Sequence, residues 1–500
     1  MRILGALKTA LVALVALLLT PLRKLARRRA VGDRAWVELD LEGKVVRSLS
    51  PKDRARAKLR RALGRPDAPV VELEALKATA REIRTDPAIA GVVVRVRGLD
   101  GGWALVAEIR DAIASIRATG RHVVVFAPRH LANHDLLAAA AGSHLLLAPA
   151  SAFAAVGAAS RGLFLGKALE RLGLEVEVAS AGRYKSAPDA LTRTDRSEAD
   201  AEQTRALVNA IDGELVRAVA SARKLSEDDA AERMDQSPLV GRGAVEAGLA
   251  DGVCRDEELP ERLRGLDASS EKDVRIVPGG AYHGLTRRRP RFVRPRRVVG
   301  VVEAHGTILD DDPRRPPGSG RSAVDAHVVR DLRAALANPR IAAVVLSIDS
   351  RGGSVTAGDV IYGAVKRLAA EKPVIACLED VAASGGYYVA CGAKEIVASP
   401  LTVTGSIGVF AVVPTWPELM RRWQIGRDRV ANRKFAGAYD PFTGFDVDER
   451  MKAQHEVHGI YELFLEIVAH ARGKTRDEVH EVAQGRVWTG RDALDAGLVD

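Results

Sequence analysis

Residues 341–355 read IAAVVLSIDSRGGSV, and residues 89–103 read IAGVVVRVRGLDGGW. Each is an apolar, β-branched run that ends in a pair of glycines, the pattern of a buried strand entering a tight turn. The likeness continues downstream. HVVVFAPRHLANHDLLAAAAGSHLLLAPASAFAAVG, from His122, matches PVIACLEDVAASGGYYVACGAKEIVASPLTVTGSIG, from Pro373. GRGAVEAGLADG, from Gly241, matches GRDALDAGLVD, from Gly490. The chain is written twice, at a nearly constant spacing of about 251 residues.

Helical spacing fills the gaps between apolar runs, as in VDAHVVRDLRAALAN and GDVIYGAVKRLAA. Strands alternating with helices predict an α/β fold of stacked βαβ units with a parallel sheet. A chain of 500 residues is too long for one ordinary core, so at least two domains are expected. The division reads as an anchor with a basic flank over 1–30, a first repeat over 31–282, a basic linker over 283–297 and a second repeat over 298–500. The stretch from Asp310 to Arg321 reads as a mobile loop. Aromatics are only 4%, so the core must lean on Ala, Val and Leu.

Ile3–Leu22 is almost wholly apolar, with Lys8 its one interior charge. Such a run is long enough to span a bilayer. It ends in no small-x-small cleavage site, so an uncleaved anchor is expected. The cationic excess, +10 overall, gathers at Arg23–Arg29 and in the linker, without interleaved aromatics. That pattern suits a membrane flank and an exposed connection, and no nucleic-acid partner is expected. Cys254, Cys377 and Cys391 form no CxxC pair, which argues against a disulfide framework or a zinc site. No metal-ligand spacing appears, and no cofactor is implied.

The two copies differ where chemistry would sit. Ser384 in the second copy falls opposite Asn133 in the first, and Lys185 in the first falls opposite Ala436 in the second. Each half lacks what the other keeps, as expected of one Ser–Lys site assembled from both. A serine hydroxyl needs a base to become a nucleophile. Lysine can serve once its pKa falls from about 10.4 toward 7, which burial away from carboxylates achieves. Asp189 would oppose that shift if it pointed inward. Gly352, Gly353 and Gly385 could offer backbone N–H groups to an oxyanion. Eleven histidines are scattered through the chain; none stands in a triad motif, though a Ser-His-Asp arrangement stays open.

GRYKSA, DSRGGSVTA, AASGGYYVA and TGSIGV, in this order, resemble the signal peptide peptidase A family, peptidase family S49, in its long tandem-domain form. The resemblance implies two tandem Clp/crotonase-like domains behind an N-terminal transmembrane helix. It implies a serine endopeptidase acting on short apolar peptides such as cleaved signal peptides. By the same resemblance Ser384 is the nucleophile, Lys185 the general base, and Ser406 the group that positions the lysine amine. The glycine pair after Asp349 and Ser350, chiefly Gly353, supplies oxyanion N–H groups, and Gly385, just after Ser384, is read from the residues as offering a second. Asp349 and Arg351 stand where the family pattern has Asn and Pro. A homo-oligomer, a tetramer, is implied as well. So are catalytic domains facing the periplasm or cell exterior, although the basic flank after the anchor favours the cytoplasm. Two other readings stay open: a non-catalytic membrane scaffold, and an acyl-CoA hydratase or thioesterase on the same fold.

Overall fold

The apolar runs become parallel strands in a computed structural model that describes residues 31–32, 34–64, 67–267, 274–286, 297–311 and 322–500. The expected anchor, most of the basic linker and most of the Asp310–Arg321 loop lie outside the described residues. Among the described residues, no helix is long and apolar enough to cross a membrane.

The chain divides into two compact units, each taken over its described residues: Met1–Ala158 with Ile211–Pro295, and Ala159–Ala210 with Arg296–Asp500. In the first unit the strands run in the order Gly252–Val253, His144–Leu147, His122–Ala127, Ile89–Asp100, Ala35–Val46 and Ile276–Pro278, with Val70–Glu72 also beside Ala35–Val46. All these pairs are parallel. The second unit repeats the plan with Val298–His305, Ile341–Ser350, Val374–Ala383, Val403–Gly405 and Val487–Thr489, and with Glu395–Ala398 also on Val374–Ala383. Only the Val403–Gly405 pairing with Val487–Thr489 is antiparallel in that sheet.

Parallel neighbours need a crossover, and the crossovers are helical. Val355–Glu371 links Ile341–Ser350 to Val374–Ala383. Ser354 caps it by accepting from the Ala357 N–H, and Ala357, Ile361, Val365 and Leu368 bury one stripe. That stripe packs with Val344, Leu346, Ile348, Ala376 and Leu378 in the main core of the unit.

The opposite face of this sheet differs between copies. In the first unit Trp36, Val124 and Leu146 are buried beneath Leu259 and Leu263 of the helix Leu259–Leu266. At the matching places in the second unit, Val299, Ile375 and Val397 are 61%, 36% and 45% exposed.

The compact units do not follow the repeat boundary read from sequence. Residues 159–210 precede the linker yet belong with the second repeat. The physical cause is an antiparallel ribbon, Glu175–Ala181 against Val409–Thr415, from Ala181↔Val409 to Glu175↔Thr415. Arg450 fastens it with an ion pair to Glu177 at 2.7 Å.

Leu346 lies fully buried in the middle of the second sheet. Leu346→Ala should cost about 2–5 kcal/mol, read in a urea titration as a lower midpoint at unchanged slope. A midpoint equal to the parent's would contradict this core.

Candidate active site

Ser384 stands between the strand Val374–Ala383 and the helix Gly385–Ala390 at φ 54°, ψ −121°. A non-glycine residue there carries about 1–3 kcal/mol of backbone strain. Two hydrogen bonds hold it: the Ser384 N–H donates to Gly405 O at 2.8 Å, and the Tyr388 N–H donates to Ser384 O at 2.9 Å. Behind the turn, the Tyr387 hydroxyl donates to Leu498 O and the Tyr388 hydroxyl to Asp359. Gly386 is required because a Cβ would lie 2.7 Å from Ser350 O. The Ala-Ser-Gly-Gly run is thus a strained turn at a strand end.

The second glycine pair faces this turn. Ile308 donates to Gly352 O and accepts from the Ser354 N–H, each at 2.9 Å. Gly353, at φ 151°, would push a Cβ to 2.0 Å from Ile308 O, so only glycine fits. A Cβ on Gly385 would sit 3.2 Å from Gly352 Cα and 3.4 Å from Gly353 N, so the two glycine turns are in close contact beside Ser384. Neither the Gly353 nor the Gly385 N–H donates to a protein acceptor among the described residues.

Lys185 reaches the same place from a short turn after the ribbon strand Glu175–Ala181. The Tyr184 N–H donates to Gln484 O at 2.7 Å, and Gly485 lets the two backbones touch, since a Cβ there would lie 2.6 Å from Lys185 N. Lys185 Nζ is 3.0 Å from Ser384 Oγ, 2.9 Å from Ser406 Oγ and 2.9 Å from Ser406 O. As an ammonium, Nζ donates to all three. As a neutral amine, its two N–H groups serve Ser406 and its lone pair faces the Ser384 hydroxyl proton. The side chain is buried, and burial lowers its pKa to about 7. No carboxylate among the described residues pairs with it, so Asp189 does not oppose the shift.

Sequence reasoning missed the shell around the lysine. Gln203, from the helix Glu198–Arg223, donates to Tyr184 O at 3.0 Å and to Ser186 Oγ at 2.9 Å. Ser186 in turn donates to Asp200 at 2.7 Å. The signal was faint: Asp200 and Gln203, three residues apart, share one face of a helix. The first copy lacks these features at its own turn, where Asn133 Nδ2 donates to Gly157 O at 2.7 Å.

Histidine enters elsewhere. His305 Nε2 lies 2.9 Å from Ser347 Oγ, and the Ser347 hydroxyl donates to Glu379. Ser347 and Glu379 are buried within the sheet. Among the described residues no histidine bonds Ser384 or Lys185. None of them form a group of three or more His, Cys, Asp or Glu able to hold a metal ion.

Ser384, Lys185, Ser406, Gly353 and Gly385 line one cleft of about 670 Å³. Apolar walls come from Leu207, Val355, Val409, Phe410 and Phe464. The structure therefore gathers all five site residues expected from the sequence.

The family model for peptidase family S49 matches residues 115–268 and 366–500. The chain belongs to peptidase family S49. A Clp protease model also matches residues 318–402, in keeping with two Clp-like α/β units. This chain is 33% identical over 423 residues to "Serine protease SPPA, chloroplastic" of Arabidopsis thaliana, covering 83% of this chain and 61% of that protein. It is 28% identical over 477 residues to "Protease 4" of Salmonella typhi, covering 92% and 75%. It is also 28% identical over 438 residues to "Protease 4" of Haemophilus influenzae, covering 84% and 69%. The chain thus spans 61% of the length of the Arabidopsis relative.

Lysine-selective 13Cε NMR should show one resonance titrating near pH 7, ammonium below and amine above, absent from Lys185→Met. Exposed lysines titrate near about 10.4. If every lysine titrates there, Lys185 is not desolvated.

Proposed function

We propose that this S49 peptidase is a serine endopeptidase in which Ser384 is the nucleophile and Lys185 the general base. The observation that carries the reading is the buried amine, 3.0 Å from the Ser384 hydroxyl and free of any carboxylate partner among the described residues. Neutral Lys185 takes the hydroxyl proton as Ser384 Oγ bonds to the scissile carbonyl carbon. The carbonyl oxygen becomes an oxyanion and accepts from the Gly353 and Gly385 N–H groups. The tetrahedral intermediate collapses as the Lys185 ammonium returns the proton to the departing amine, leaving an ester on Ser384. Water then attacks that ester with Lys185 again as base, and the acid product leaves with Ser384 restored. Ser406 holds the amine in place through both its carbonyl and its hydroxyl.

The substrates in this reading are short, extended, apolar peptides such as cleaved signal peptides. Support comes from the apolar walls of the cleft. Residues 1–30 act as the membrane anchor, the catalytic units face the periplasm or cell exterior, and the working form is a homo-oligomer, a tetramer. Two catalytic residues drawn from distant parts of the sequence into one cleft favour this reading over a scaffold.

Hydrolysis of a fluorogenic apolar peptide should fall at least about 1,000-fold in Ser384→Ala and in Lys185→Ala, with folding retained. For the parent enzyme kcat/KM should rise about tenfold per pH unit up to pH 7, then level off, because only the neutral amine accepts the proton. Full activity in Ser384→Ala would move the nucleophile elsewhere. In spheroplasts, added protease should digest the catalytic units; their protection would put them in the cytoplasm.

A further inference from the structure

Three charged side chains line the cleft: Lys185, Asp200 and Arg351. Two of them are accounted for. The amine of Lys185 is buried against Ser384 and Ser406. Asp200 accepts from Arg196 at 2.6 Å and from Ser186 at 2.7 Å. Arg351 is exposed and has no hydrogen-bond or ion-pair partner among the described residues.

The position of Arg351 is not left to chance. It follows the last residue of the strand Ile341–Ser350 and precedes Gly352 and Gly353. The Gly352 N–H donates to Ser350 Oγ at 3.1 Å, and Ile308 clamps the next peptide on both sides. A free guanidinium is therefore mounted on the rigid turn that carries the Gly353 amide. The remaining lining is neutral or apolar, so the cleft presents a single unpaired positive charge to whatever enters it.

We propose that Arg351 binds a carboxylate of the substrate and so sets specificity next to the reacting bond. The proposal rests on the peptidase reading above and deepens it. A guanidinium offers a planar fork that matches a carboxylate in two parallel hydrogen bonds. An extended chain advances about 3.3 Å per residue, so an arginine side chain on this turn reaches a carboxylate within about two residues of the scissile bond. Two sources supply that chemistry: an Asp or Glu side chain at such a position, or the C-terminal carboxylate of a short peptide. Apolar walls with one cationic contact then select apolar peptides that carry a single negative group near the cut.

The test is equilibrium binding to the Ser384→Ala protein, where no cleavage intervenes. Three fluorescent peptides of one apolar sequence are compared: amidated, free acid, and amidated with Glu beside the bond to be cut. One carboxylate peptide should bind about fivefold to tenfold more tightly than the neutral one, and its advantage should shrink at higher salt. Arg351→Gln in the same background should abolish the advantage, and Arg351→Lys should restore part of it. The peptide that gains identifies the source of the carboxylate. Equal affinities for all three, no binding of any, or an advantage that survives Arg351→Gln would each overturn the proposal. Peptides that bind with the advantage, yet are not hydrolysed when Ser384 is present, would instead sink the peptidase reading alone.

Discussion

Everything distinctive about the site depends on keeping one amine dry. Lys185 is 8% exposed, and its lowered pKa has burial as its cause. A lysine on the surface would be an ammonium at neutral pH, unable to accept a proton. A lysine beside a carboxylate would be held in that same charged form. The cleft avoids both. It surrounds Nζ with the Ser406 carbonyl, two hydroxyls and, 5.9 Å away, the face of Phe410. Desolvation favours the neutral amine, and the neutral amine has one lone pair left to face Ser384.

That arrangement demands backbone where side chains normally stand. Ser384, Ser406 and Gln484 all adopt positive φ, at 54°, 52° and 50°. Gly485 gives Lys185 room to approach, and Gly353 lets Ile308 close over the Gly352–Gly353 turn. Strain of this kind persists only where neighbours over-determine it. The neighbours are visible: the Ser406 N–H donates to Arg486 O and the Gly485 N–H to Ile407 O, each at 2.7 Å. Short main-chain bonds to their neighbours brace the strained residues, which keeps the amine and hydroxyl within hydrogen-bond reach without help from a histidine.

Duplication has been put to unequal use. Both copies build a mostly parallel sheet on the same plan, with a helix in the same crossover. In the first, the start of the helix Asn133–Ala139 carries Asn133, committed to a backbone carbonyl. In the second, the same place carries Ser384 and the adjoining glycines. The first copy's contribution is a loan of chain: residues 159–210 leave their own repeat to pair with the second. A ribbon of seven paired residues on each side, with the Arg450–Glu177 ion pair, delivers the lysine.

The repeat, the alternating strands and helices, and the reciprocal placing of Ser384 and Lys185 were legible in the amino-acid sequence, whereas Ser406 was named only through the resemblance to the S49 family. Periodicity reports local structure directly, and a comparison of two copies exposes the positions where they part. The sequence pointed to a lysine shared with the second repeat but could not show the ribbon that brings it there, because pairing between residues 175–181 and 409–415 is a long-range choice with no local signature. Nor could it reveal the Gln203–Ser186–Asp200 shell, since a polar helical residue looks alike whether it faces water or a neighbouring turn. The pKa of Lys185 belongs to the same class. Residue type sets the starting value, but the shift comes from the atoms that surround the amine, and only tertiary structure decides which those are.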